Sequence, residues 1–381
     1  WLFMKALEKE KLINSGARYL DVIVNGNSRG AYILQGQASE ELIRNNNRIE
    51  GPIIGFNQDL WVEEQINSNK LNKMGAVDSL NGVEDSFWRA KIEPVQFSEK
   101  KIGTEQEAYL KKAIYLLESF RNGSLKTSQV FDSGQLAQVM ALRAVIGSSE
   151  FDWLDTKFYF NPKTSLLEPI SKEAHVDLNL NYKEYYFSWW IDSSKIRSHY
   201  IKDTNFFIDL LYQDIEFYEK YLSELNRLSS IKYYEELVKE NLKDFKKYKK
   251  ILKQNYPTKK IFSTEHLEIN RVRIQDLLNP VQGLNIHFVD YKDNVLFLNI
   301  LNSQRLPVKI LGIQFEDKNK IYRKKPVFIK GKNPTVSMKK NVIKIECQNK
   351  SACKKLRINK QKIIFKILGQ EKERKANISR Y

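Results

Sequence analysis

Apolar and polar positions alternate from Leu20 to Asn25, with Leu20, Val22 and Val24 set against Asp21, Ile23 and Asn25. On this β-branched background the alternation predicts a half-buried strand. Asn25-Gly26 follows, and both central positions of a type I′ turn need positive φ. Tyr32, Ile33 and Leu34 give the returning strand. Upstream, residues 1–14 place Trp1, Met4, Ala6, Leu7 and Leu12 on one face of an amphipathic helix. Downstream, Ser39 with Glu40 and Glu41 opens a short helix that ends at Asn45–Asn47. Residues 52–56, PIIGF, form a short apolar strand with a glycine inside it.

From 64 to 104 the pattern is polar and weak, and predicts loops. Residues 105–121 then carry a helical period in Ala108, Ile114, Leu116, Leu117 and Phe120, stopped by Asn122-Gly123. A second helix over 134–147 takes its N-cap from Phe131-Asp132-Ser133. Lys157–Phe160 and Leu166–Ile170 read as two strands joined by the turn Asn161-Pro162-Lys163-Thr164. Residues 178–200 are rich in aromatics and carry no clear period.

Residues 203–255 read as helices broken near Ser229-Ser230, with one face on Ile208, Leu211, Ile215 and Tyr218. Leu237, Leu242, Phe245, Tyr248 and Leu252 mark another face, and Pro257 ends the run. After a linker the period changes to two: VLFLNILN, PVKILGIQFED, KPVFIKG, NVIKIECQ and KIIFKILG are separated by turn clusters. That predicts an all-β, immunoglobulin-like sandwich.

Composition sharpens this division. The chain has 381 residues, 42% of them hydrophobic, enough for two or three cored domains. No run of eighteen apolar residues suggests a membrane span. The first residue is Trp1, which is expected of a processed product or a fragment. The net charge is +17, yet residues 291–381 hold 24 Lys and Arg against 6 Asp and Glu, a net of +18. That segment is where an anionic partner would bind. Its runs Arg323-Lys324-Lys325, Lys339-Lys340 and Lys354-Lys355 are separate, which suits a charge spread along loops. An anionic polymer or a membrane surface fits better than nucleic acid, because no arrangement of aromatics signals base stacking. Cys347 and Cys353 are the only cysteines, and either pair or remain two free thiols.

The chemistry is sparse. His175, His199, His266 and His287 make no H-x-x-x-H pair, and C-x5-C is not a zinc spacing. G-x-S-x-G, G-x-x-x-x-G-K-[ST] and G-x-G-x-x-G are all absent. Carboxylates gather around one predicted hairpin, with Glu150, Asp152 and Asp155 before it and Glu173 and Asp177 after it. A hairpin brings its ends together, so they are either ordinary loop carboxylates or one cleft. Phosphoryl transfer uses such a cleft, with one carboxylate near the acceptor hydroxyl and others on Mg²⁺.

Several words of the sequence resemble the spore-coat protein H (CotH) kinase-like family. They are Trp1-Leu2-Phe3, Lys5-Ala6-Leu7, Val24-Asn25-Gly26, Gly30-Ala31-Tyr32 and Arg48 with Glu50-Gly51-Pro52-Ile53-Ile54. Phe131-Asp132, Phe158-Tyr159-Phe160-Asn161-Pro162 and Leu167-Glu168-Pro169-Ile170 follow in the family's order, over about residues 1–175. The resemblance implies an atypical protein-kinase-like fold, with members that use ATP and Mg²⁺ to phosphorylate proteins at cell or spore surfaces. It also implies strands upstream of the Trp1 position, with basic residues near the nucleotide.

This sequence departs from the family where charge is expected. Gln35 and Gly36 stand in place of an acidic pair, Glu40 in place of a basic residue, and Gly55 in place of a strand lysine. Asn57 and Gln58 replace acidic residues. In the catalytic passage Asp152 matches the family's aspartate, Asp155 stands for its metal-binding Asn, and Glu173 for the following Asp. A kinase cleft stabilises concentrated negative charge, so a lost lysine is costly to transfer. Asp155 and Glu173 still offer oxygen to Mg²⁺.

The expected architecture is α+β. It comprises a kinase-like domain over 1–200, N-terminally incomplete, a helical continuation over 201–256, a linker over 257–284 and a basic β-sandwich over 285–381. The expected function is that of a degenerate, pseudokinase-like surface protein, extracytoplasmic by resemblance, acting as a binding or scaffold protein. The alternative is an active atypical protein kinase, with Asp152 as base or acceptor-orienting group and Asp155 and Glu173 on Mg²⁺. A third reading is an unrelated binding protein whose basic sandwich does the work.

Overall fold

The computed structural model describes residues 1–73, 82–96, 98–148, 153–171, 174, 202–258, 264–280, 283–293, 295–316, 318–331, 341–346 and 360–379. Asp152, Glu173, Glu150, Asp177, His175, His199 and both cysteines lie outside these residues, as does the aromatic stretch 178–200. The fold is α+β. Described residues through Ile274 form one compact unit, and those from Gln275 onward form a second.

The first unit opens with helix α1 (Leu2–Lys9), which buries Leu2, Phe3, Met4, Ala6 and Leu7. Strands β1 (Arg18–Val24) and β2 (Asn27–Leu34) form a hairpin. Its turn has Asn25 at φ 51° and Gly26 at φ 76°, as the I′ geometry requires. The hairpin is not half-buried, however. Ile23 is 67% exposed, Tyr32 53% and Leu34 47%, because β1 and β2 pair only with each other. The alternation gave the strand correctly but not the covering layer.

Helix α2 (Glu40–Asn45) has Ser39 as N-cap, accepting from the Leu42 N–H at 3.3 Å. Strand β3 (Ile53–Phe56) is buried throughout. Residues 64–104, expected as loops, instead contain most of α3 (Asp59–Lys73), α4 (Gly82–Arg89) and strand β4 (Ile92–Pro94). Their apolar residues are few, but Phe87 is fully buried against Phe56 and Trp153. Tertiary packing, rather than a long period, fixes this region.

Helices α5 (Glu105–Arg121), α6 (Thr127–Val130) and α7 (Ser133–Ile146) follow. Asp132 caps α7 by accepting from the Gly134 and Gln135 N–H groups, both at 3.1 Å. Strands β5 (Lys157–Asn161) and β6 (Leu166–Ile170) make the expected hairpin and complete a four-stranded antiparallel sheet of order β4-β3-β5-β6. Phe56 and Phe158 face the aromatic core of Phe87, Phe131, Trp153 and Phe207. Ile53 and Tyr159 face the other way, into a cluster with Ile13, Leu42, Ile43 and Ile170.

The helical run comprises α8 (Lys202–Gln213), α9 (Ile215–Leu228), α10 (Ile231–Glu240) and α11 (Leu242–Asn255). The break at Ser229-Ser230 is where expected, with Ser230 capping α10. Helix α11 buries no residue, so the apolar face expected there is shallow; Tyr248 meets Tyr19 of the hairpin at 5.4 Å between ring centroids. The span 257–284, expected as a linker, contains helix α12 (Glu265–Leu278), which buries Leu267, Ile274 and Leu278.

The second unit is all-β. Strands β7 (Leu284–Lys292), β8 (Val295–Asn302), β9 (Val308–Gln314), β10 (Lys320–Ile329), β11 (Asn341–Glu346), β12 (Lys362–Ile367) and β13 (Arg374–Ser379) share one apolar core. Their order is β10-β9-β12-β13-β7-β8-β11, with only β13 and β7 parallel. The sheet curls until its edges nearly meet, and Arg323 on β10 donates from Nη1 to the Lys344 carbonyl on β11. Near-closure protects edges that two flat sheets would leave open.

Candidate functional site

The positions singled out by sequence separate into two places. Gln35 and Gly36 lie in the connection from β2 to α2, and Glu40 is the first residue of α2. Gln35 Nε2 donates to Ser15 Oγ at 2.8 Å, and the Gly36 N–H donates to the Ser15 carbonyl at 3.0 Å. Gly36 also lines a polar cavity of about 850 Å³ with Asn14, Ser15, Gln37 and Asn46. Glu40 accepts from Lys101, whose Nζ also reaches Glu50 Oε1 at 2.7 Å. Burial opposes the charged form of Lys101, but its hydrogen bonds to Glu40 and Glu50 prevail and raise its pKa. Lys101 is thus shared between two partly exposed carboxylates, Glu40 and Glu50.

Gly55, Asn57 and Gln58 lie at the end of β3, where Gln58 reaches Leu154, the residue before Asp155. Asn57 Nδ2 donates to Glu93 Oε1 at 2.7 Å, while its Oδ1 accepts the Asp59 N–H at 2.7 Å and so helps to open α3. Gln58 Nε2 donates to the Leu154 carbonyl at 2.5 Å. Asp155 is exposed in the turn that precedes β5. Glu93 on β4 pairs in register with Gly55. Lys157, the first residue of β5, lies half-buried beside them, with Nζ 3.3 Å from the Leu154 carbonyl and 3.5 Å from the Phe56 carbonyl. Sequence reasoning missed Lys157 and Glu93, because only strand register brings them to Gly55.

A second omission concerns Arg48 and Glu168. Both stand within words singled out in the sequence, and they meet in the folded chain. Arg48 Nε donates to Glu168 Oε2 at 2.9 Å, and Glu168 is 1% exposed. The guanidinium also binds the Asn46 carbonyl, the Lys11 carbonyl and Gln135 Oε1, at 2.9, 3.2 and 3.0 Å. Asn161 Nδ2 completes the carboxylate at 2.5 Å. Nearby, the Tyr159 hydroxyl donates to the Ile49 carbonyl at 2.8 Å, and burial raises its pKa well above the ordinary tyrosine value. Burial and full pairing give this network a structural role.

Among the described residues no three His, Cys, Asp or Glu come together as a metal would need. Among the described residues no helix is long and apolar enough to cross a membrane. Compared with protein-family models and with curated proteins, the chain matches none.

Proposed function

We propose that the chain is a degenerate member of the CotH kinase-like family that works as a binding or scaffold protein at a cell or spore surface. The observation that carries this reading is the internal use of the positions where charge is lost. Gln35 and Gly36 are tied to Ser15, and Glu40 is held by Lys101. Gln35 and Gly36 carry no charge and Glu40 is paired with Lys101, so none of the three supplies a positive charge for a nucleotide, whereas transfer depends on preorganised charge. Two surfaces support binding. The hairpin exposes Leu20, Ile23, Tyr32 and Leu34. The segment 291–381 carries the chain's whole excess of positive charge, which suits an anionic polymer or a membrane surface.

A specific observation favours the second reading, an active kinase with ATP and Mg²⁺. Lys157 and Asp155 are two residues apart at the end of β3, so a cation and a carboxylate survive there. In that reading Asp152 acts on the acceptor hydroxyl, and Asp155 and Glu173 hold Mg²⁺.

Retention of the full chain on an immobilised anionic polymer tests the binding reading. Retention that needs no ATP and falls steeply as salt rises supports it, since screening shortens to about 3 Å at 1 M ionic strength. Retention indifferent to salt contradicts the charge-based part.

A further inference from the structure

Strand β10 forms one edge of the second unit's sheet, and its sequence KIYRKKPVFI holds four cations and no carboxylate. Ile321, Val327 and Ile329 pack into the apolar core, so Tyr322 and Phe328 turn away from it. Both rings are open to solvent, Tyr322 48% and Phe328 40% exposed. Each carries a lysine. Lys320 Nζ lies 5.8 Å from the Tyr322 ring centroid, and Lys309 Nζ, from β9, lies 5.3 Å from that of Phe328. Between the rings the register against β9 shifts from Tyr322–Gly312 to Val327–Ile310. The residues in the shift, Arg323-Lys324-Lys325-Pro326, form a bulge. Lys324 and Lys325 are exposed there, without a side-chain partner among the described residues.

Strand β11 continues this surface, because Arg323 reaches the Lys344 carbonyl and holds β10 beside β11. Ile343 and Ile345 enter the core, while Val342, 56% exposed, and Lys344 face outward. The carboxylates nearby are Glu346, which closes β11, and Glu373. Glu373 accepts from Lys320 and from the Tyr322 hydroxyl, both at 3.2 Å, so a lysine of the same face offsets it. Lysines on an edge strand discourage pairing with other chains, and that alone would account for Lys324 and Lys325. It does not account for two exposed rings and a valine among them. Apolar side chains surrounded by cations suit a lipid surface: they enter the headgroup boundary while the lysines extend to the phosphates. A hydrophilic polyanion would use the lysines but leave Tyr322, Phe328 and Val342 in water. A nucleic-acid base would compete with Lys309 and Lys320 for the ring faces.

We propose that the outer face of β10 and β11 docks on an anionic lipid surface, with Lys324, Lys325 and Lys344 on the headgroup phosphates and Tyr322, Phe328 and Val342 at the headgroup boundary. The inference rests on the charge-based binding reading above and narrows it from any anionic surface to a membrane. The bulge sets the geometry, because it places two exposed lysines between two exposed rings on one strand.

Co-sedimentation of the full chain with lipid vesicles tests this, beside retention on an immobilised anionic polymer. Vesicles of phosphatidylcholine with phosphatidylglycerol bind the wild type, and vesicles of phosphatidylcholine alone do not. Lys324→Gln with Lys325→Gln lowers the partition coefficient on anionic vesicles by roughly tenfold or more. Tyr322→Ser with Phe328→Ser lowers it by roughly tenfold on the same vesicles and leaves retention on the polymer unchanged. A melting temperature close to that of the wild type checks the fold of each variant. Should the double aromatic variant fail that check, Phe328→Ser alone takes its place, with a loss of roughly threefold. Vesicle binding by the aromatic variant equal to that of the wild type assigns the face to charge alone, as a polymer needs, and overturns the membrane proposal. Equal binding by the lysine variant overturns the role of the bulge. A wild type retained on the polymer but not bound to anionic vesicles overturns the proposal and leaves the charge-based reading standing. A wild type that binds neither overturns both.

Discussion

Arg48 Nε lies 2.9 Å from Glu168 Oε2 and joins two segments 120 residues apart. Glu168 sits opposite Tyr159 on the β5–β6 pair, on the face where Tyr159 packs with Ile53, Leu42 and Ile43. A carboxylate buried there is tolerable only while its partners are in place. Removing one partner of a buried pair typically costs about 3–5 kcal/mol, because the other charge is left uncompensated. Arg48→Met is expected to destabilise the first unit by an amount in that range, measured by urea denaturation followed with tryptophan fluorescence. Arg48→Met combined with Glu168→Leu is expected to recover part of the loss, since two apolar groups leave no orphaned charge. A double variant worse than the sum of the singles would contradict this account of the pair.

Close backbone approach explains two glycines. A Cβ on Gly51 would meet the Phe160 carbonyl oxygen at 2.4 Å, beside the Phe160 N–H bond to the Pro52 carbonyl at 2.9 Å. A Cβ on Gly312 would meet the Ile321 carbonyl oxygen at 2.0 Å, where β10 crosses β9 before the register shift after Tyr322. Neither obstacle is a flexible side chain. Gly51→Ala and Gly312→Ala are each expected to cost about 1–3 kcal/mol through forced backbone movement, read as a lowered denaturation midpoint. Gly123→Ala is the control: its Cβ would meet nothing within 4 Å, though its φ of 76° still carries the strain of a left-handed residue.

Asp214 gives a pH dependence. It caps α9 through the Glu216 N–H at 3.1 Å and accepts the Ser128 N–H at 2.8 Å. Burial would raise its pKa, but the hydrogen bonds from Ser128, Glu216 and Phe217 outweigh it and hold the pKa below the ordinary aspartate value. A depressed carboxylate stabilises the fold above its unfolded pKa of about 3.9, and that contribution is lost as pH falls through the lower folded value. Asp214→Ala should therefore cost about 0.5–2 kcal/mol at neutral pH, the range for a lost cap, with the difference from the wild type shrinking below about pH 4. A difference that grows on acidification would reverse the sign assigned to Asp214.

What the sequence made legible was local chemistry. Asn25-Gly26, the Asp132 cap of α7 and the turn between β5 and β6 each depend on a few neighbouring residues, and each appears where expected. Helix α12 was hidden because Leu267, Ile274 and Leu278 are widely spaced among polar residues. Helix α4 was hidden because its fully buried anchor, Phe87, finds its partners Phe56 and Trp153 through tertiary contact. The hairpin shows the reverse: its alternation specifies a strand, yet nothing in a strand's own sequence says whether a third strand covers it. The site divides in the same way. Gly55 was visible as a missing lysine, but Lys157 became visible only through the register of β3 against β5. Asp152 and Glu173 lie outside the described residues, and their roles stay with the proposed function.

The most direct test is the initial rate at which the full chain transfers labelled phosphate from ATP with Mg²⁺ to itself or to proteins of a surface preparation. Loss of charge at Gln35, Gly36, Glu40 and Gly55 predicts a rate indistinguishable from that of Asp152→Asn, even where the nucleotide binds. Time-dependent incorporation by the wild type that Asp152→Asn abolishes would contradict the account and establish the chain as an enzyme.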